Sequence, residues 1–136
     1  MKKRILILCL SVTAVVLECL PYGAVLNFGI PDNSSGHAYF RETYSYFDSM
    51  TFGYGNFGPL LTAIMTCVLI ILSIIYLFLG KDGLKKAVSV VSGIALVFSL
   101  MPLMFGIRFF SVVGGVISAV LAVIFTVSLI KKTVKV

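Results

Sequence analysis

Residues 60–79 run for twenty positions without a charge, a glycine or a proline, and are closed off by Gly80-Lys81-Asp82-Gly83-Leu84-Lys85-Lys86. A helix of that length rises about 30 Å, the thickness of a bilayer's hydrocarbon core. The stretch therefore reads as a transmembrane helix, with Pro59 at its start, where a missing N–H costs nothing. Three further apolar stretches read the same way. The expected fold is an all-α integral membrane protein, one membrane domain over residues 1–136, with four transmembrane helices in two hairpins. The spans fall at 5–26, 59–79, 87–107 and 109–130, joined by an outer loop at 27–58 and a cytoplasmic turn at 80–86, with a tail at 131–136.

Composition agrees with a membrane chain: 60% of residues are hydrophobic and only 12% charged, which a water-soluble fold of this size could not bury. The net charge of +6 does not point to nucleic acid, because the charges sit at the ends of the apolar runs. Nine of the eleven Lys and Arg lie at the N-terminus, the 80–86 turn and the C-terminus, leaving Arg41 and Arg108. The positive-inside rule then places both termini in the cytoplasm of a plasma membrane and the long loop outside. Met1-Lys2-Lys3-Arg4 followed by an apolar run opens like a signal peptide. No good small-x-small cleavage pattern follows, so 5–26 reads as an uncleaved span loosened by Pro21 and Gly23. Cys9, Cys19 and Cys67 all fall inside expected spans and read as buried, inert thiols rather than a disulfide framework.

Small residues recur at helical spacing in the last two spans. Ser111, Gly115 and Ala119 form one row, with Gly114, Ser118 and Ala122 beside it, and Ser89 and Gly93 repeat the pattern. Lipid gives helices little hydrophobic reason to meet, so such rows are the usual contact surfaces. They predict a close hairpin of the last two spans, or a face for a second protomer.

Little material for catalysis is present. His37, the one histidine, has no His, Cys or Asp neighbour at ligand spacing, and no catalytic residue, metal ligand set or cofactor site is expected. Glu18 is the one ionisable residue inside an expected span, and an acid at that depth calls for a partner. Arg108, at the outer end of the third and fourth spans, and Arg41, in the loop, are the candidates; alternatively Pro21 and Gly23 end the helix early and Glu18 meets interfacial water. Arg108, among Phe105, Phe109 and Phe110, also suits an interfacial anchor.

The outer loop holds nine of the seventeen aromatic residues. Over residues 35–50, Phe40, Tyr44 and Phe47 share one helical stripe, which predicts a short amphipathic helix in the interface. Thr51-Phe52-Gly53-Tyr54-Gly55-Asn56-Phe57-Gly58-Pro59 follows. This resembles the selectivity filter of potassium channels, TVGYGD or TIGYGN in that family. The resemblance implies that carbonyls of Thr51, Phe52, Gly53 and Tyr54 replace an ion's water shell, with Gly53 and Gly55 permitting the backbone angles. With one such loop per chain, a filter requires four chains. The same residues also read as an aromatic-glycine turn that returns the chain to the membrane.

The expectation from sequence is a small protein embedded in a lipid bilayer that works by contact. It would be a non-enzymatic subunit or regulator of a membrane assembly, paired with another membrane protein or with copies of itself. A tetrameric potassium-selective channel and a small transporter are the alternatives.

Overall fold

The computed structural model describes residues 1–29, 39–49 and 55–130. Within them the order is α1 (Lys2–Glu18), β1 (Ala24–Gly29), β2 (Tyr39–Tyr44), α2 (Gly58–Leu79), α3 (Asp82–Met104), a 3-10 turn (Ile107–Phe109) and α4 (Val112–Leu129). The helices pack as a ring: α1 against α2 and α4, and α3 between α2 and α4.

α2 follows its punctuation. Pro59 stands in its first turn, and Gly80 closes it in the left-handed region at φ 61°, its N–H donating to the Tyr76 carbonyl at 3.0 Å. Glycine enters that region without the steric cost of a Cβ. α3 begins at Asp82, five residues earlier than expected, so most of the expected 80–86 turn is helix. An acid in the first turn of a helix meets its positive dipole end favourably. α4 begins at Val112 rather than Phe109, because Ser111 caps it by accepting from the Gly114 N–H at 2.8 Å.

The first expected span does not form as one helix. α1 stops at Glu18, and the chain from Ala24 becomes a strand. Pro21 turns the preceding residue away from helical angles. Lys2, Lys3, Arg4 and Glu18 take up both ends of α1, and the uncharged run between them rises only about 20 Å against a core of roughly 30 Å. Among the described residues three helices, α2, α3 and α4, are long and apolar enough to cross a membrane. That finding corrects the four-span bundle. The count is odd, and an odd number of crossings does not return a chain to the side on which it began, so the placement of both termini in the cytoplasm is corrected with it.

The fold is not all-α either. Where the aromatic stripe predicted an interfacial helix, Tyr39–Tyr44 pairs antiparallel with Ala24–Gly29, with Asn27 opposite Arg41 and Phe28 opposite Phe40. Aromatic and β-branched residues suit a half-buried pleat as well as a helix, and the pairing strand decided between them. Residues 30–38 and 50, part of that expected loop and helix, lie outside the described residues.

Burial differs from that of a soluble bundle in its many buried hydroxyls and its apolar exterior. The interior holds Ser11, Ala14, Thr62, Ala63, Thr66, Ser73, Ser92, Ala95, Ser99 and Ser118 among Leu69, Leu121 and Ile124. The exposed faces carry Ile64, Ile71 and Phe78 on α2, Val90 and Val97 on α3, and Val116 and Val123 on α4. Large apolar groups outside and small or hydroxylated ones inside are what a lipid solvent selects. The chain is an integral membrane, multi-span helical protein.

The tightest approach joins α2 to α3. A Cβ on Gly58 would stand 2.9 Å from the Phe98 carbonyl and 3.0 Å from the Met101 Cβ. Phe98 is the residue whose carbonyl loses its helical donor, because Pro102 has no N–H to give it. We predict that Gly58→Val lowers stability by about 1–3 kcal/mol through overpacking. Gly83→Ala, where an added Cβ meets nothing within 4 Å, should raise it by about 0.5 kcal/mol. Thermal unfolding of both variants in micelles checks the contrast.

Candidate functional site

The end of the bundle where α1 and α3 finish carries the two-stranded sheet, and polar contacts fasten the sheet to the helices there. α1 delivers Glu18 fully buried at its last residue, and the carboxylate accepts from the Thr66 hydroxyl of α2 at 2.5 Å. The carbonyl of Glu18 accepts from the Tyr46 N–H at 2.9 Å, so the chain leaving β2 is tied back to the end of α1. The Tyr46 side chain is 2% exposed and lies so close to Gly23 that a Cβ there would stand 2.9 Å from its ring. Burial pushes the Tyr46 phenol up from its ordinary range, keeping it neutral.

The other side of the sheet is tied to α4. The Ser111 hydroxyl donates to the Gly23 carbonyl at 2.6 Å while capping α4. Asn27 donates from its side-chain amide to the Arg108 carbonyl at 3.2 Å, and Ala24 bridges to Phe110. On the sheet, Tyr44 donates to the Glu42 carboxylate, which holds the phenol above its ordinary range.

Glu18 is thus buried, and its partner is a hydroxyl. Arg41 on β2 and Arg108 in the 3-10 turn are both exposed, and the structure does not bring either to Glu18 as an ion pair. Glu18 Oε1 and Asn56 Oδ1 are buried without a hydrogen-bond partner among the described residues. The local chemistry is that of a tie between α1 and α2: one donor, one carboxyl, and a second carboxyl oxygen left over.

The small residues divide by face. Gly93 lies against the Phe125 ring, Ser118 donates to Ser99 at 2.9 Å, and Gly114 lies beneath Ser111 and Tyr46. Ser89 is buried beside them, Gly115 and Ala122 are half-buried, and Ala119 is exposed. Gly93 and Ser118 thus meet the neighbouring helix of the α3–α4 pair, Gly114 meets Tyr46 and the Gly23 carbonyl, and Ala119 faces outward. All three cysteines are exposed rather than buried. Thr51, Phe52, Gly53 and Tyr54 of the filter-like stretch lie outside the described residues, as does His37; Gly55 is exposed. Among the described residues, no group of three or more His, Cys, Asp or Glu could hold a metal ion.

Sequence reasoning reached Glu18 but missed Thr66, Tyr46, Gly23 and Ser111 as its surroundings. Ser111 followed by an apolar helix carries an N-cap signal; Tyr46 has no local signal, since its role depends on contacts distant in sequence. No protein family, curated protein or solved structure matches the chain at a significant level.

Removing the Thr66 hydroxyl would leave a buried carboxyl oxygen unpartnered, a loss of about 1–3 kcal/mol. We predict that Thr66→Val costs that much in the native background and clearly less beside Glu18→Leu. A double-mutant cycle by unfolding in micelles should therefore show coupling, whereas additive effects would mean that the contact contributes nothing.

Proposed function

We propose that this protein is a non-enzymatic subunit or regulator of a membrane assembly, working by contact through the sheet-bearing end of its bundle. The observation that carries this reading is a sheet fastened at Tyr46, Ser111, Asn27 and Ala24 while Tyr22, Phe40, Phe47 and Phe57 around it stay exposed, Phe40 at 53%. A surface that is already ordered loses little conformational entropy on binding. Aromatic rings supply much of the energy of protein contacts from few rotatable bonds. Inside the bundle, by contrast, the hydroxyls of Ser11, Thr62, Ser73, Ser99 and Ser118 bond to helix carbonyls or to one another. That arrangement supports a packed scaffold.

The test is particle size after extraction from native membranes in mild detergent. The proposal predicts a protein mass, with bound detergent subtracted, well above the 14.7 kDa of the lone chain. It should dissociate in Phe40→Ser/Phe47→Ser and persist in Val97→Ala, which alters a lipid-facing position 68% exposed. A lone chain from the native protein would contradict the proposal.

A further inference from the structure

At the opposite end of the bundle, where α2 and α4 finish and α1 and α3 begin, a cavity of about 450 Å³ opens among the helix ends. Its charged lining is lopsided: among the described residues, Lys2, Lys3 and Arg4 from α1 and Lys85 from α3 stand against a single carboxylate, Asp82. Two helices present N-termini here and two present C-termini, so their dipoles largely offset one another. The excess positive charge therefore belongs to the side chains.

Two of the four basic side chains already have work. Arg4 donates to the Leu77 and Gly80 carbonyls at 3.4 and 3.5 Å, with its guanidinium 5.3 Å from the Tyr76 ring centre. Lys85 donates to the Ile130 carbonyl at 3.0 Å. These contacts fix two charges in the cavity wall and neutralise the carbonyl ends of α2 and α4. Lys2 and Lys3 reach the cavity from exposed positions. The rest of the lining includes the apolar Ile7 and Val127, and Phe78, in the last turn of α2, is 80% exposed.

We propose that this cavity binds a phosphate-bearing anion, and that its source is the head group of an anionic phospholipid. The volume falls in the range of small-molecule sites. Fixed cations in the wall and flexible ones at the opening suit a phosphodiester. The position at the ends of membrane-crossing helices is the depth of lipid head groups, where basic pockets between helices take such lipids. The site is independent of the contact surface at the far end.

The full chain, purified in uncharged detergent, is titrated with phosphatidylglycerol, with phosphatidylcholine and with inorganic phosphate while its unfolding midpoint is followed. The expected result is a saturable rise with phosphatidylglycerol and none with phosphatidylcholine, with one bound lipid per chain by native mass spectrometry. Lys2→Gln/Lys3→Gln should weaken the apparent affinity about thirtyfold. Lys81→Gln/Lys86→Gln, which removes the same charge at the same end but outside the cavity, should change it less than twofold. Phosphate that reproduces the rise and displaces the lipid would support the site and assign it to a soluble ligand. Equal losses in the two double variants, or no rise with either ligand, would overturn the proposal.

Discussion

Close approach between backbones is what this bundle depends on, because its outer solvent offers helices almost no hydrophobic reward for meeting. Gly58 lets α2 reach the carbonyl that Pro102 strips of its donor on α3, and Gly93 admits the Phe125 ring between α3 and α4. Ser11 and Ser73 join α1 to α2, and Ser99 and Ser118 join α3 to α4. Each contact is small; together they set small and hydroxylated groups among the buried Ile7, Leu69, Ile117, Leu121 and Ile124. Other large aliphatic side chains, Ile71, Val97 and Val123 among them, face the perimeter, where lipid takes them.

The same economy builds the sheet-bearing end. α1 is cut short at Glu18, and the residues released from the helix supply β1, which needs a partner strand and finds one in β2. Tyr46 then closes the circuit, with its N–H on the Glu18 carbonyl and its ring against Gly23. Because Gly23 also accepts from Ser111, the start of α4, the turn after α1 and the chain after β2 are fixed by one group of contacts. The middle of the bundle lies between a sheet tied to the helices at one end and a cavity lined by Lys2, Lys3, Arg4 and Lys85 at the other.

What was legible in the sequence was largely what local punctuation controls. Pro59 and Gly80 bracket α2 to within a residue of where they predict it. The charges at 81–86 hid the start of α3, since hydropathy marks where apolar residues begin and not where helical hydrogen bonds do; Asp82 was the better signal. At α1 the long apolar run outweighed Pro21 and Gly23, although these two breakers were visible and decided the outcome. Phe40, Tyr44 and Phe47 were read at helical period, yet the strand over Tyr39–Tyr44 is stabilised by residues at 24–29, a pairing that no local pattern reveals. Glu18 could be singled out from its charge in an apolar run. Its partner Thr66 could not, because a hydroxyl inside a helix carries no long-range mark.

The functional reading depends on the sheet being held rigidly to the helices, and amide hydrogen exchange in lipid nanodiscs tests that most directly. The account predicts slow exchange across Ala24–Gly29 and Tyr39–Tyr44 in the native chain. It predicts fast exchange of both strands in Tyr46→Ala, with α2 unchanged. Fast exchange of the strands in the native chain, or slow exchange that survives loss of Tyr46, would contradict it.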